Sequence, residues 1–455
     1  MKNNLDIKIA FSIMTLLIIL VGVFQSWGVA LSILNLCLIS AVMSMGVNIQ
    51  WGYSGLINFG VMGFLAIGGL AAVLVSVPPV QEAWDAGGKG ILLSGIFLIS
   101  LIYLIFFINK KLKFKFKNYL LFGLAIFAIP LMKIIAGPSI EAIEAIDAAS
   151  SGFLGGFNLP IIFSWFVGAL LAALVALIMG KICLGLRSDY LAISTLLISG
   201  IVISAVKHEE WLSRGVKNVI GLKRPVPYEV NLQNSEWFIK LIEFFNSGIL
   251  SSFVNLEERS SMLRDLVISS SGVFVKLSFS FIFFIVVIFL LIFSEKALKS
   301  PWGRMMRAIR DNEDAAKAMG KNVVKRHLHI FMIGSAIIGF SGAMLVTYDG
   351  LFSPASYQPL RYTFLIWVMV LVGGTGNNYG AILGGFVVWF IWIESAPFAL
   401  FLINLIFSQV DNTNQLKMHL IESIPYFRYL MMGLGLLLVM RYRPKGLLPE
   451  KIIKN

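Results

Sequence analysis

The 455-residue sequence predicts an all-α polytopic membrane protein, with about 10–12 transmembrane helices, some broken or re-entrant, and with both termini cytoplasmic. Three observations lead there. Hydrophobic residues make up 58% of the chain, charged residues only 13%, and the mean hydropathy is +0.85, a balance that a water-soluble globule does not have. Apolar runs of about 20 residues, enough to cross a bilayer as a helix, recur along the whole chain. The loops richest in lysine and arginine all fall on one side when those runs are threaded through a membrane.

The runs lie near 8–26, 29–49, 54–77, 90–108, 118–136, 160–180, 190–206, 266–294, 328–348, 361–375, 379–408 and 424–441. Lys2 and Lys8 precede the first, as in a signal peptide, but no small-residue cleavage site follows, so it reads as an uncleaved span. The 361–375 run is short and the 379–408 run is long and holds Pro397, so one reads as a half-helix and the other as kinked or broken. With the N-terminus inside, the cytoplasmic segments are "KKLKFKFK" at 110–117, "KICLGLRSDY" at 181–190, the 295–327 loop and "RYRPKG" at 441–446, all basic. The other side receives 78–89, 137–158 and the polar 207–264 region, a candidate outer cap. Residues 1–455 read as a single transmembrane domain. The net charge of +13 then belongs to loops beside a lipid bilayer and does not call for nucleic acid.

Glycine marks where the helices are special, because small residues let helices approach and tolerate irregular backbone inside a protein. In "WGYSGLINFGVMGFLAIGG", 51–69, a break precedes Gly60, Gly63 and Gly68 near one helix face. Close packing is one reading of these glycines. The other is a solute path lined by Ser54, Asn58, Gly60 and exposed carbonyls. A similar break, "VGGTGNNYGAILGG" at 372–385, adds Gly374, Asn377 and Asn378, and its place in the other half of the chain hints at an internal repeat. Glu394, in "WFIWIESAPF", lies deep in a run just before Pro397, so it must pair, face a wet cavity or mark a shorter span, and it is a further path candidate. Lys133, Lys276 and Arg428 sit near span ends and are expected to snorkel.

Enzymatic chemistry finds no support. No G-x-x-x-x-G-K-[ST] string occurs, and "GGKG" at 87–90 lacks both the hydroxyl and the strand-to-helix setting. There is no nucleophile elbow and no H-E-x-x-H, and the four histidines lie in loops or at span ends without metal spacing. Cys37 and Cys183 read as packing residues. No catalytic residue, metal or cofactor is expected in the chain.

The exception to the apolar pattern is "RAIRDNEDAAKAMG" at 307–320, charges of both signs crowded between two spans. Ser300 followed by Pro301 predicts one helix start. Asn312 predicts a second, with Glu313 and Asp314 in the first turn and Gly320 as the stop. Arg307/Asp311, Arg310/Asp314 and Glu313/Lys317 are spaced to pair on a solvated face. Ala315, Ala316 and Met319 form a low-relief face suited to a partner's groove.

The stretch "SPWGRMMRAIRDNEDAAKAMGKNVVKRHLHIFMIGSAIIGFSGAM" resembles the cytoplasmic loop and following span in the permease subunits of branched-chain amino acid ABC importers, the longer of the two paired permeases most closely. "NIQWGYSGLINFGVMGFLAIGG", "LGLRSDYLAISTL", "GLFSPASYQPLRYTFLIWVMVLVGGTGNNYGAILGG" and "RYRPKGLLP" agree with that family in order along most of the chain. The resemblance implies a subunit that pairs with a second permease, two cytoplasmic ATPases and an external solute-binding protein, in the cell inner membrane, to import branched-chain or other neutral amino acids. ATP would be bound by the partners. "EDAAKAMG" is similar to the Glu-Ala-Ala…Gly loop that forms the coupling helix of ABC importers, with Asp314 in place of glutamate. Residues Asp311, Glu313, Asp314, Ala315, Ala316, Met319 and Gly320 would then make the ATPase-coupling loop. Urea or short-chain amide permeases share these features and are the nearest rival, ahead of an ion-coupled secondary transporter. Two departures stand out. About 80 residues, 78–158, with two extra apolar runs, replace a short connection, and "LSRGVKNVIGL" carries Arg214 where the family's outer loop has a glycine.

Overall fold

A computed structural model describes residues 2–111, 117–146, 152–252, 255–408 and 414–450. Each apolar run becomes a helix: α1 (Lys2–Phe24), α2 (Trp27–Val47), α3 (Val61–Ser76), α4 (Lys89–Lys111), α5 (Lys117–Glu144), α6 (Ile162–Cys183), α7 (Ser188–His208) and α8 (Leu256–Lys299). After two short helices, α9 (Pro301–Asp311) and α10 (Glu313–Ala318), come α11 (Val323–Asp349), α12 (Leu365–Gly373), α13 (Asn378–Ile406) and α14 (Ile424–Tyr442). Among the described residues nine helices are long and apolar enough to cross a membrane, and 61–76 and 361–373 are shorter apolar helices. Part of the basic 110–117 stretch, 112–116, lies outside the described residues.

The centre of the bundle is α2 and α11, the spans most enclosed by their neighbours. α11 packs on α6, α3 and α2, and α13 packs on α2, α12 and α14. Glycine makes the closest of these crossings possible. A Cβ on Gly68 would strike the Gly339 carbonyl, and one on Gly339 would strike the Ala172 side chain and the Gly168 carbonyl. One on Gly46 would lie 2.9 Å from the Gly334 carbonyl. The backbones of α3, α6 and α11 therefore touch at a single crossing, and there van der Waals packing takes over the role that water exclusion has in soluble cores. Cys37 and Cys183 are buried free thiols within the bundle.

Two expectations need correcting. Pro397 does not break its helix: α13 runs continuously to Ile406. Proline leaves one carbonyl without its usual donor, a loss that buried helices tolerate, and Ser395 Oγ donates to the neighbouring Trp392 carbonyl at 3.2 Å. Lys276 does not simply snorkel, because its Nζ donates to the Gly28 carbonyl at 3.0 Å and so ties α8 to the start of α2. The 361–375 run is a half-helix as expected, nine α-helical residues entered through the wide turn Pro359–Phe364.

The bundle has two distinct ends. At one, Lys8, Glu295, Lys299, Arg307, Gly376 and Glu450 line a shared cleft, which brings the N-terminal helix, the 301–320 segment and the C-terminal tail together. At the other, α11 stops at Gly350 (φ +65), and Leu351–Phe352 pairs antiparallel with Val219–Ile220 of the 207–264 region. α11 is about 40 Å long at 1.5 Å per residue, enough to separate these ends by a bilayer. Arg214, which stands where a glycine was anticipated, has the left-handed backbone (φ +60) that glycine adopts without strain. Within 78–158, α4 and α5 pack on each other, and Ile96, Ile99, Tyr103, Phe127 and Ile134 face outward.

Candidate functional site

The first glycine-rich break begins where α2 widens into the π-turn Asn48–Gly52 and stops being helical before α3. Its polar side chains are spent on holding the backbone. Gln50 is fully buried, and its Nε2 donates to the Phe331 carbonyl at 2.9 Å and Ser335 Oγ at 3.0 Å on α11. Asn58 Nδ2 donates to Gln50 Oε1 at 2.8 Å, while Asn58 Oδ1 accepts the Gly60 amide at 2.8 Å. Ser54 Oγ donates to the Gln50 carbonyl at 2.5 Å. Thr195 and Thr363 supply hydroxyls to the amides of Phe59 and Met62, and Trp367 Nε1 donates to the Asn58 carbonyl at 2.9 Å. Irregular backbone inside a membrane protein needs such partners, since lipid offers none. In this conformation Ser54 and Asn58 are only 3% and 1% exposed. Gly60 sits under the Thr195 carbonyl, which leaves no room for a side chain.

Asn58→Ala strips a donor from Gln50 Oε1 and an acceptor from the Gly60 amide. It should destabilise the subunit by about 2–3 kcal/mol, the cost of two buried groups left unpaired. A thermal melt in detergent reads this directly, as a lowered midpoint at unchanged helix content.

The second break follows α12, where Gly374 takes φ +113 and Gly376 φ +75. The C-terminal tail repairs it: the amides of Leu447 and Leu448 donate to the Val372 and Gly373 carbonyls at 2.9 Å each. Asn377 Nδ2 donates to the Leu448 and Pro449 carbonyls, and its Oδ1 accepts from Tyr379 N to cap α13. The two breaks meet. Asn48 Oδ1 accepts the Gly376 amide at 2.9 Å, Asn48 Nδ2 donates to Asn378 Oδ1 at 3.2 Å, and Asn378 Nδ2 donates to Glu295 Oε1 at 3.0 Å. Of the sequence candidates, Ser54, Asn58 and Gly60 therefore share one bonded network, and Gly374, Asn377 and Asn378 lie in the break that joins it.

Glu394 stands apart. Gln25 Nε2 donates to its Oε2 at 2.8 Å, in a lateral cleft with Phe390, Phe398, Phe401 and Met431. None of its bonds reaches Asn48, Gln50 or Asn58.

The 301–320 segment folds as its capping residues dictate. Pro301 opens α9, whose Gly303, Met306 and Ile309, three apart, are its buried stripe. Ser300, expected to cap it, makes no side-chain bond to α9, and its Oγ donates back to the Ala297 carbonyl at 2.6 Å. Asn312, extended at φ −156, ends α9 and caps α10 by accepting the Ala315 amide at 2.9 Å. Gly320 at φ +75 closes it. Among its residues Glu313–Ala318 none is buried, Met319 is 78% exposed, and Ala316 alone packs partly against the core. Glu313 meets Lys317 at 2.8 Å and holds that ammonium above its ordinary pKa. The other two anticipated pairs do not form. The chain turns at Asn312, so Arg310 and Asp314 are not on one helix face. Arg310 binds Asp311 at 3.0 Å and Glu450 at 2.9 Å, and Arg307 donates to the Leu298 carbonyl at 3.1 Å. Burial works against the Arg310 charge, but its bonds to Glu450 and Asp311 outweigh that, and its pKa lies above the ordinary value.

Sequence reading missed Asn48, Gln50, Glu295, Arg310 and Glu450 as members of this site. "NIQ" at 48–50 did carry a signal, two amides at the end of an apolar run, whereas nothing local marks Glu450.

Helices interrupted at the bundle centre, with their freed polar groups satisfied internally, define a multi-pass membrane protein of the transporter kind. The chain belongs to the family described as branched-chain amino acid transport system / permease component, matched over residues 29–440. It is 28% identical over 219 residues to the probable branched-chain amino acid transport permease protein LivM of Methanocaldococcus jannaschii, a match covering 47% of this chain and 57% of that protein. It is 25% identical over 284 residues to the high-affinity branched-chain amino acid transport system permease protein LivM of Escherichia coli, covering 62% of this chain and 56% of that protein. A shorter match, 31% over 94 residues, is to the xylose transport system permease protein XylH of Haemophilus influenzae. The chain thus spans a little over half the length of the first two relatives. No solved structure matches it.

Proposed function

We propose that this chain is the transmembrane subunit of an ATP-driven importer of branched-chain or other neutral amino acids in the cell inner membrane. Its partners are a second permease, two cytoplasmic ATPases that bind the ATP, and an external solute-binding protein. The observation that carries the reading is α10, a helix with no buried residue and a small apolar face, capped by Asn312 at the end of a bundle whose sequence has no phosphate-binding loop. Family membership and the names of the relatives support the substrate class. The end bearing α9 and α10 faces the cytoplasm, in keeping with the basic 181–190, 295–327 and 441–446 segments. The solute moves past the joined breaks, and their bonding network is one of two arrangements that alternate during transport.

Purification of the tagged chain from its own membranes tests this. It should bring down an ATPase, and the reconstituted assembly should take up labelled leucine when supplied with ATP. A chain recovered without any ATPase overturns the proposal, and uptake of urea in place of leucine would move it to the amide permeases. Glu394→Gln keeps the bond to Gln25 and should leave leucine uptake within about twofold of wild type, whereas a larger loss would place Glu394 on the solute path.

A further inference from the structure

Arg310 touches more separate parts of the coupling end than any other side chain described above. Its Nη1 donates to the Gly52 carbonyl in the first break and, at 2.9 Å, to Glu450 Oε2 in the tail. Its stem lies against Gly55, where a Cβ would meet Arg310 Cγ at 3.4 Å. On the second break, a Cβ on Gly376 would come within 3.3 Å of Arg310 Nη1 and 2.8 Å of the Glu450 carboxylate. Arg310 is also two residues before Asn312, the cap of α10, and both it and Glu450 are 23% exposed at the side chain. One guanidinium thus bridges the base of α10, both interrupted helices and the tail that repairs the second of them.

We propose that Arg310 and Glu450 form the latch that carries movement of α10 to the two helix breaks. This rests on the proposed coupling to ATPases and names the connection that such coupling requires. A stroke delivered to an exposed six-residue helix is lost unless a stiff contact relays it. A planar guanidinium suits that task, because it fixes two acceptors at a set separation while a lysine ammonium does not. The carbonyl it holds, Gly52, belongs to the π-turn, the part of α2 whose backbone bonding has an alternative arrangement close at hand. Arg310 is in this sense a positioning residue and makes no contact with solute.

The test measures ATP hydrolysis and leucine uptake on the same proteoliposomes holding the assembled complex, for Arg310→Ala, Arg310→Lys, Glu450→Gln and, as a control, Arg264→Ala, an exposed residue near the start of α8 and far along that helix from Lys299. Arg310→Ala should lose about tenfold or more in uptake while hydrolysis stays within about twofold of wild type. Arg310→Lys and Glu450→Gln should fall between the two, and Arg264→Ala should match wild type. Uptake by Arg310→Ala at the wild-type rate overturns the latch, as does a loss of uptake from an intact complex that only follows a loss of hydrolysis. Where Arg310→Ala assembles poorly, Arg310→Lys decides: full uptake from an intact complex overturns the proposal, and reduced uptake with retained hydrolysis supports it. A wild-type chain that binds no ATPase overturns the transport reading and the latch together, whereas an active wild type beside a fully active Arg310→Ala overturns the latch alone.

Discussion

Ala315→Glu and Gly320→Arg are expected to cut solute uptake about tenfold or more while leaving the amount and melting temperature of the subunit close to wild type. The separation of the two readouts follows from burial. No residue of Glu313–Ala318 is buried, and no neighbouring atom lies within 4 Å of where a Cβ on Gly320 would sit. A new carboxylate at position 315 therefore disturbs no packing within the chain. Gly320→Arg costs only the strain of a left-handed backbone, about 1 kcal/mol. Any large loss must come from a surface outside the chain that accepts a small apolar face and has to desolvate the added charge. Ala316 is the wrong place for this experiment, because it packs partly on the core and its substitution mixes docking with folding. Uptake assays, with a pull-down of the ATPase, decide the matter: normal transport by Ala315→Glu would sink the docking role of α10.

Gly339→Leu should prevent the bundle from assembling. A Cβ at this position falls on the Ala172 side chain and on the Gly168 carbonyl, and Gly339's own carbonyl occupies the space beside Gly68. Backbone cannot step aside as the end of a flexible side chain can. Leucine must therefore push α11 away from α6 and α3 along their length, at a cost of about 3 kcal/mol or more. Size-exclusion chromatography in detergent should show aggregate in place of a single species. The Gly339→Ala protein should fold with a lower melting temperature, and wild-type behaviour of the leucine variant would show that the crossing is looser than described.

Much of the fold was legible because the signals are local. A helix that crosses lipid must be apolar for about 20 residues, so the spans show in the sequence alone, and Pro301, Asn312 and Gly320 each begin or end a helix through their own backbone geometry or a bond made within a few residues. Glycine-rich breaks were visible for the same reason. Where reading failed, the deciding partner was remote or the chain turned. The Arg310/Asp314 pair is sound on a continuous helix and void once Asn312 is extended. Pro397 suggested a kink or a break, and the helix continues through it to Ile406. The glycines at 60, 63 and 68 serve the first of the two uses weighed for them: each sits against a neighbouring helix, Gly60 and Gly63 on the 188–208 helix and Gly68 on α11, with no room for a side chain.

By itself the sequence determined that this is a multi-span helical membrane protein with one charged, capped helix offered at a loop, because hydropathy and capping depend on residues that are neighbours in the chain. Only the tertiary structure decided that the two breaks join through Asn48 and Asn378, 330 residues apart, that the tail supplies donors to the second break, and that Arg310 binds the tail and not Asp314. Those choices depend on which freed backbone groups face each other after packing. Inside a membrane such groups must find partners wherever the fold brings them, and no spacing in the sequence records where that is.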